Sequence, residues 1–301
     1  MEEIFRSGFA SLIGRPNVGK STLLNYLVGR KIAIVSDKPQ TTRNKIQGVF
    51  TTENYQAVLL DTPGIHKPKH RLGKFMVSVA LQALKEVDVI FYLIDAGAEP
   101  GPGEQYILNV LEEVNTPVIL IVNKIDTVHK DELIPLIDYY TKKRRFDEVI
   151  PLSAYTGENV DKLIELLSSY LPEGPKYYPE GMISDQPEER LIAELIREKA
   201  LLLTREEIPH SLFVQLEVFE RRTDDLIYVE AIMYVERDSQ KGIIIGKKGS
   251  MLKEIGRLAR EELENLFGMR FYLDLRVKVR KNWRQNQLDL KHMGFNHNQS
   301  E

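Results

Sequence analysis

One octapeptide constrains this chain more than any other stretch of it. Residues 14–21 read G-R-P-N-V-G-K-S and fit the phosphate-binding pattern G-x-x-x-x-G-K-[ST] at every specified position. The apolar run from Phe9 to Ile13 predicts a buried strand, and the residues from Ser21 to Val28 predict a helix that Gly29 can end. A glycine-rich turn at a helix start directs several backbone N–H groups at one anion. The motif therefore predicts a P-loop for a nucleotide phosphate.

The residues of this loop have distinct expected roles. Lys20 brings a positive charge toward the outer phosphates, and the Ser21 hydroxyl is placed to hold Mg²⁺. The expected nucleotide contacts of this loop are Gly14, Arg15, Pro16, Asn17, Val18, Gly19, Lys20, Ser21 and Thr22. Glycine-lysine-serine turns also occur as ordinary strand-to-helix corners, so a structural role is the alternative for this motif taken alone.

A second motif, Asp61-Thr62-Pro63-Gly64, follows an apolar run at residues 57–60 that predicts another buried strand. Ligands bind at the carboxyl ends of strands in such sheets. The Asp61 carboxylate can hold the Mg²⁺ hydration shell and the Gly64 N–H can meet a γ-phosphate, so hydrolysis would release this segment. The expected nucleotide contacts here are Asp61, Thr62, Pro63, Gly64 and Ile65. Taken alone, D-x-x-G is a common turn.

A third motif, Asn123-Lys124-Ile125-Asp126, follows the apolar run at residues 118–122 and indicates which base is bound. The Asp126 carboxylate can accept two hydrogen bonds from the N1–H and exocyclic amine of guanine, a donor pair that adenine lacks. Asn123 would brace the loop, and Lys124 would lie along the base plane. The alternative is a helix start after a strand, with Asp126 as its N-cap.

A fourth loop, Ser153-Ala154, follows the apolar run at residues 149–152, and its Ala154 N–H could meet guanine O6. Four such loops in this order resemble the translation-factor-related P-loop GTPases. In that family a switch threonine completes the Mg²⁺ shell, and the T-T-R pattern of the TrmE-Era-EngA-like branch favours Thr42 over Thr41. A solvated polar loop is the alternative for both threonines. The expected catalytic residues are then Lys20, Thr42 and Gly64, and the expected Mg²⁺ ligands are Ser21, Thr42 and Asp61.

One residue departs from the signalling GTPases. Many of these enzymes carry a glutamine after D-x-x-G that orients the attacking water, whereas this chain has Ile65, which can neither donate nor accept a hydrogen bond. Related GTPases with an apolar residue there are often slow alone and use a potassium ion held by a P-loop asparagine. The matching residue is Asn17, so K⁺ joins Mg²⁺ as an expected cofactor. No arginine finger is identifiable, which leaves room for a partner to supply one.

Composition agrees with a globular enzyme of a reducing compartment. A length of 301 residues predicts two domains, and contents of 43% apolar and 28% charged residues suit two cores and a charged surface. The absence of cysteine excludes disulfides, zinc-thiolate sites and catalytic thiols. The first residues lack the pattern of a signal peptide and no apolar run spans a bilayer, so we expect a cytoplasmic protein.

The boundary between the two domains is predicted from proline and glycine. An amphipathic helix pattern at residues 159–171 gives way to P-E-G-P-K-Y-Y-P-E-G at residues 172–181. Strands and helices alternate before this point, which predicts an α/β fold with a mostly parallel, doubly wound sheet. The predicted division is a GTP-binding domain at 1–172, a linker at 173–187, an RNA-binding domain at 188–281 and a polar tail at 282–301.

The second half has the expected layout of a KH domain. It predicts a helix at 188–204, strands at 211–220 and 226–236, a short helix, a turn, another helix and a final strand. The turn, Gly246-Lys247-Lys248-Gly249, lies between two apolar stretches and matches the G-x-x-G loop that presses on a nucleic-acid backbone. The expected RNA contacts are Ile245, Gly246, Lys247, Lys248, Gly249 and Ser250. This order resembles the α+β type II arrangement, and a solvated lysine turn is the alternative.

Charge distribution favours a polyanion partner for this half. From residue 237 onward the chain has 14 Lys and Arg against 8 Asp and Glu, a net +6, whereas the remainder has 27 against 36, a net −9. Arg276, Lys278 and Arg280 alternate along the last strand and share a face that could meet phosphates or water. Trp283 could stack on a base, although packing against the domain is the favoured role.

The two halves in this order, joined by S-D-Q-P-E at residues 184–188, resemble the Era family of bacterial GTPases over about residues 4–281. The resemblance implies a monomer that binds GTP or GDP and the 3′ region of 16S ribosomal RNA, acts in small ribosomal subunit assembly, and in some members associates peripherally with the inner membrane. We expect the tail beyond Trp283 to be disordered when free.

The sequence thus predicts a GTP-hydrolysing switch whose output is RNA binding. Two other classes remain open. One is a nucleotide-gated binding module with negligible turnover, which the missing glutamine allows. The other places a protein or lipid surface, and not RNA, at the basic end.

Overall fold

The computed structural model describes residues 5–295 and divides into two compact units. The first unit comprises the described residues up to Ala33, Thr42–Lys69 and Met76–Asp185. The second unit comprises Ile34–Thr41, His70–Phe75 and the described residues from Gln186 onward.

The first unit is built on a sheet of six strands with helices along the chain between them. Its strands are β1 (Arg6–Ile13), β2 (Ile46–Thr51), β3 (Tyr55–Asp61), β4 (Val89–Asp95), β5 (Val118–Asn123) and β6 (Glu148–Leu152). The helices are α1 (Lys20–Val28), α2 (Arg71–Gln82), α3 (Pro102–Glu112), α4 (Lys130–Lys143) and α5 (Val160–Tyr170), of which the start of α2 is assigned to the second unit. The strand order is β2-β3-β1-β4-β5-β6, and only β2 is antiparallel to its neighbour.

The sheet is covered on both faces, because alternate residues of each central strand enter different apolar clusters. Leu12, Leu59 and Phe91 face one cluster, whereas Ile13 and Tyr92 face the other. Strands buried on both faces are expected in a doubly wound parallel sheet, and the predicted α/β class is confirmed. Since β1, β3, β5 and β6 run parallel, the four motif loops that follow them lie at one edge of the sheet.

The second unit has a smaller sheet of three strands. Its remaining helices are α6 (Glu188–Leu203), α7 (Ile208–Ser211), α8 (Asp238–Ile245), α9 (Ser250–Phe267) and α10 (Gln287–His292), and its strands are β7 (Phe213–Thr223), β8 (Leu226–Val235) and β9 (Arg270–Val279). Strand β8 pairs antiparallel with β7 and parallel with β9. This is the predicted α+β order, with a glycine turn between α8 and α9.

The prediction of a disordered tail is wrong for its described part. Trp283 is 0% exposed and donates from Nε1 to the Ser211 carbonyl oxygen at 2.9 Å. Its ring lies 5.8 Å from Phe213 and 6.3 Å from Phe295, and helix α10 buries Leu290. The tail packs because these few apolar side chains outweigh its polar average composition. Residues 296–301 lie outside the described part of the chain.

No helix within residues 5–295 combines the length and apolarity needed to cross a membrane.

Candidate nucleotide and nucleic-acid sites

The P-loop and the D-x-x-G segment of the first unit lie against each other. A Cβ atom added to Gly64 would lie 2.6 Å from the Pro16 nitrogen, so only glycine fits there without displacing the P-loop backbone. The next residue, Ile65, donates its N–H to the Gly14 carbonyl oxygen at 3.0 Å. The segment that would sense a γ-phosphate is thereby joined to the loop that would bind the phosphates.

Three side-chain oxygens converge where the sequence predicts a metal ion. The Asp61 Oδ2 atom accepts hydrogen bonds from Ser21 Oγ at 2.6 Å and Thr42 Oγ1 at 3.2 Å, and the two hydroxyl oxygens lie 3.0 Å apart. Asp61 Oδ1 is buried and has no hydrogen-bond partner within the described chain. Because a buried carboxylate oxygen is costly to leave unpaired, this donor set suits a hard divalent cation such as Mg²⁺. Thr41 takes no part in the cluster, since its hydroxyl donates to the Lys38 carbonyl oxygen at 2.6 Å.

Lys20 is the buried cation of this site, with 6% of its surface exposed. Its Nζ donates to the carbonyl oxygens of Arg15 at 3.0 Å and Gly14 at 3.4 Å. Burial lowers the pKa of this ammonium from 10.5 to about 8, although the charges of Asp61 and Glu104 oppose the change. Burial likewise raises the pKa of Asp61, against the influence of Lys20 and the two hydroxyl donors. An anion bound at the loop would satisfy the Lys20 charge.

A buried carboxylate beneath the P-loop is a residue that no sequence motif indicated. Glu104, in the first turn of α3, has its Oε1 atom 3.6 Å from Arg15 Nη1 and accepts a hydrogen bond from the Tyr92 hydroxyl. Burial raises the pKa of Glu104, while Tyr92 and Arg15 oppose the rise. Glu104 therefore ties the second residue of the P-loop to the core. Its sequence signal is only an acidic residue next to Pro102-Gly103.

The predicted base-binding loops are joined by side-chain hydrogen bonds. Asn123 donates from Nδ2 to the Val18 carbonyl oxygen at 2.7 Å and accepts from the Ala154 N–H at 2.9 Å, so it joins its own loop to the P-loop and to the Ser153-Ala154 loop. The Ser153 hydroxyl donates to Asp126 Oδ1 at 2.5 Å and orients the carboxylate expected to select guanine. In this structure the Ala154 N–H thus serves a protein acceptor, whereas the sequence suggested guanine O6 as its partner.

Three other predicted nucleotide contacts have side chains that interact with the protein itself in this structure. Lys124 pairs with Asp95, at 2.6 Å between Nζ and Oδ2, an interaction the sequence did not indicate. The Thr62 hydroxyl is buried and donates to the Leu12 carbonyl oxygen at 2.7 Å, so in this structure it bonds to strand β1 and the loop that follows β3 is held to that strand. The Ile65 side chain is 0% exposed and packs in the apolar cluster that contains Ile13 and Tyr92.

The predicted RNA loop lies at the surface of the second unit. Gly246 and Gly249 have φ angles of 73° and 80°, in the left-handed region that favours glycine. Lys247 and Lys248 between them are exposed, as is Ser250, whereas Ile245 is partly buried. The turn therefore presents two adjacent ammonium groups on a backbone that a ligand can approach closely.

A groove beside this turn runs along α9 and β9. It encloses about 690 Å³ and is lined mainly by apolar and basic side chains, among them Leu252, Lys253 and Leu275, together with Arg260, which pairs with the lining residue Glu264 at 3.5 Å. An apolar groove next to a basic glycine turn is the arrangement that takes bases and backbone together.

The basic face predicted on the last strand is largely neutralised. Arg276 pairs with Asp274 at 2.8 Å and with Glu230 at 3.5 Å, and Arg280 pairs with Asp289 at 2.6 Å. Of the three, only Lys278 forms no ion pair within residues 5–295. Acidic residues of β8, β9 and α10 therefore pair with the two arginines, for which the sequence had suggested phosphates or water as partners.

Comparisons with known proteins match both halves of the chain. A model described as "50S ribosome-binding GTPase" matches residues 9–124, and a KH domain model matches residues 207–284. The chain is 54% identical to GTPase Era of Staphylococcus haemolyticus over 290 residues, covering 96% of this chain and 97% of that protein.

Two solved structures are similar over nearly the whole chain. One is a single-residue variant of Aquifex aeolicus Era bound to GDP and aluminium fluoride, with a TM-score of 0.93. The other is Era in complex with MgGDPNP and nucleotides 1506–1542 of 16S ribosomal RNA, with a TM-score of 0.94. Each is 42% identical and covers 97% of this chain and 100% of its own.

Proposed function

Because this chain belongs to the Era family of GTPases, we propose that it couples GTP hydrolysis to binding of the 3′ region of 16S ribosomal RNA during small ribosomal subunit assembly. The observation that carries the proposal is the cluster of Ser21, Thr42 and Asp61 oxygens beside the P-loop, in which one Asp61 oxygen has no hydrogen-bond partner among residues 5–295. An Era complex with MgGDPNP and a 16S fragment supports both ligands by similarity.

In the proposed reaction the protein works by charge and position. Lys20 stabilises charge that develops on the outer phosphates, and the Gly64 N–H meets the γ-phosphate. Ser21, Thr42 and Asp61 would hold Mg²⁺, which supplies a positive charge beside the phosphate oxygens when bound. Asp126, oriented by Ser153, selects guanine over adenine. Loss of the γ-phosphate removes the partner of Gly64 and frees its segment.

We also propose that potassium compensates for the missing water-orienting side chain. Ile65 is buried and apolar, while Asn17 is exposed in the P-loop with a φ of 67°. A monovalent cation near Asn17 would add positive charge beside the phosphates, and it would do so although position 65 has no side chain that can hydrogen-bond to the attacking water. GTP turnover should therefore be faster in potassium than in sodium buffers at equal ionic strength, and equal turnover would remove this part of the proposal.

RNA is assigned to the second unit because its glycine turn is exposed and the groove beside it is both apolar and basic. The test is the affinity for a synthetic RNA with the 3′-terminal 16S sequence, measured with a GTP analogue, with GDP and without nucleotide. We expect affinity to depend on the nucleotide, with ATP unable to replace GTP. Affinity that is equal in all three states would refute coupling, and no affinity would favour a protein or lipid ligand.

Single-turnover decay of GTP with and without this RNA separates a switch from a binding module with negligible turnover. By resemblance we further propose a cytoplasmic monomer with peripheral membrane attachment, and functional divisions at residues 1–172, 173–187, 188–281 and 282–301. Gel filtration tests the monomer, and sedimentation with anionic vesicles tests the membrane attachment.

A further inference from the structure

The lysine of the base-binding loop is held by a carboxylate at the end of a neighbouring strand of the first unit. Lys124 Nζ lies 2.6 Å from Asp95 Oδ2, where β4 ends beside β5. The two side chains are 34% and 23% exposed, so water screens their attraction only in part. Asp95 is itself fixed, because its Oδ1 atom accepts a hydrogen bond of 3.0 Å from the Gly97 N–H. Lys124 therefore has an ordered partner outside its own loop.

The backbones of the two loops are joined at the same place. The Ala96 N–H donates to the Asn123 carbonyl oxygen at 2.8 Å. The Thr127 N–H and hydroxyl both donate to the Lys124 carbonyl oxygen, at 3.0 and 2.8 Å. Lys124 has a φ angle of 67°, in the left-handed region that costs free energy for a residue with a side chain. Backbone and side-chain contacts together hold Lys124 in this orientation.

The other charged residue of this loop has no such partner. Asp126 is exposed and forms no ion pair within residues 5–295, and the Ser153 hydroxyl donates to it. Lys124 and Asp126 are expected at the same base, one along its plane and the other at its edge. The flexible lysine stem can therefore bring its ammonium to this carboxylate. A Lys124–Asp126 pair would occupy the acceptor that guanine needs.

We propose that Asp95 is a positioning residue that determines specificity: it holds the Lys124 ammonium away from Asp126 and so keeps the Asp126 carboxylate open to the two guanine donors. The inference rests on the proposed role of Asp126 in selecting guanine. A site whose acceptor is engaged by an internal partner binds more weakly, because only the unpaired fraction is competent. Asp95 raises that fraction by pairing with Lys124 itself.

The test is a double-mutant cycle at Asp95 and Lys124. Asp95→Asn keeps an oxygen for the Gly97 N–H and removes the charge that attracts Lys124. Lys124→Met removes the ammonium and keeps an unbranched apolar stem. Asp95→Asn should weaken GDP binding about fivefold when Lys124 is present. In the Lys124→Met background it should weaken GDP binding less than about twofold, because the competitor for Asp126 is then gone.

A second nucleotide provides a readout that a merely structural role of Asp95 would not move. Inosine diphosphate lacks the exocyclic amine of guanine, so the ratio of GDP to inosine diphosphate affinity reports whether Asp126 accepts from that amine. We expect Asp95→Asn to lower this ratio and the double variant to recover it. Titration calorimetry at low salt gives the affinities, since salt would screen an exposed Lys124–Asp126 pair. Asp131→Asn, at an exposed aspartate of α4, is the control with the same change of charge.

The outcomes separate this inference from the function on which it rests. If the unaltered protein binds the two diphosphates equally, the proposed role of Asp126 fails, and this inference fails with it. If the unaltered protein prefers GDP but Asp95→Asn leaves the ratio unchanged, or lowers it equally with and without the Lys124 ammonium, only this inference is refuted. Asp95 then does no more than support the fold of its loop.

Asp95→Ser covers the case in which Asp95→Asn does not fold, since serine also carries an oxygen that can accept from the Gly97 N–H. It replaces Asp95→Asn in the same cycle, with the same expected recovery in the Lys124→Met background. Circular dichroism reports the folding of each variant. A lowered ratio in Asp95→Ser that Lys124→Met does not recover would overturn the proposal.

Discussion

The P-loop of the first unit and the glycine turn of the second both carry lysines that we propose meet phosphate, and the two sets lie in opposite surroundings. Lys20 is buried between backbone carbonyls and acids, and its ammonium donates to two of those carbonyls. Lys247 and Lys248 are exposed on a short turn. Charges in a buried, preorganised site act strongly and select their ligand, whereas exposed charges are screened by salt and select little. The comparison predicts that single substitutions matter far more in the first site.

Substitution of the buried lysine should have the largest effect. Lys20→Ala removes the ammonium from the metal and phosphate cluster, and we expect kcat/KM for GTP to fall by roughly 10²–10³-fold. Phosphate release under steady state measures this loss. Lys85→Ala, at an exposed position of the same unit, is the control. Activity equal to that of the control would show that burial does not give Lys20 the importance assigned here.

The base-selecting carboxylate should rank next. Asp126→Asn replaces an acceptor with a group that cannot accept from both guanine donors, so GTP affinity should fall about a hundredfold. Xanthosine triphosphate, which has a carbonyl in place of the exocyclic amine, should bind the variant better than the unaltered protein. Competition calorimetry with both nucleotides checks this exchange, and Asp131→Asn, exposed at the start of α4, should leave both affinities unchanged.

The exposed lysines should have a smaller effect that depends on salt. Reversing both charges with Lys247→Asp and Lys248→Asp should weaken RNA binding at least about tenfold and reduce the slope against log salt by about 0.7 for each phosphate that the turn no longer binds. Filter binding across a salt series measures both quantities. Charge reversal at Lys85 and Lys130, two exposed lysines of the first unit, controls for net charge. If the slope of RNA affinity against log salt did not change, the RNA phosphates would bind at a surface other than the glycine turn.

The smallest effect concerns pH. The pKa of Lys20 without ligand is about 8, and phosphates bind its charged form, so nucleotide affinity is complete below that pH and falls above it. We expect GTP affinity to fall roughly fourfold between about pH 7 and about pH 8.5, with proton uptake on binding. Calorimetry in buffers of different ionisation enthalpy detects the proton. RNA affinity should change little over this range, because Lys20 belongs to the nucleotide site and not to the glycine turn.

Much of this molecule follows from local sequence patterns. The P-loop, the D-x-x-G segment and the N-K-x-D loop each occur after a buried strand, and the parallel order of β1, β3 and β5 then brings them to one edge. The glycine turn between α8 and α9 was identifiable for the same reason. Glycine spacing and apolar periodicity encode backbone geometry directly, so such elements need no knowledge of distant contacts.

The prediction of a disordered tail was wrong because composition was averaged over the segment. The tail is polar enough on average to predict disorder, yet Trp283, Leu290 and Phe295 find apolar partners in the second unit. The alternating arginines of β9 formed a basic face in the sequence, but Asp274, Glu230 and Asp289 pair with them in the fold. Alternation along a strand predicts that these basic side chains share one face of the sheet. It does not predict which acidic side chains lie near enough to pair with them.

By itself, the sequence determined which residues are expected to carry the chemistry of the two sites: a phosphate-binding motif, a carboxylate proposed to select guanine, and a basic glycine turn. Tertiary structure decided which charges are buried and paired. The Arg15–Glu104 pair and the bond from Arg197 to Thr41, residues 156 positions apart, join groups that no local pattern relates. The physical reason is that the strength of a charge depends on its surroundings, and only the folded chain brings those surroundings together.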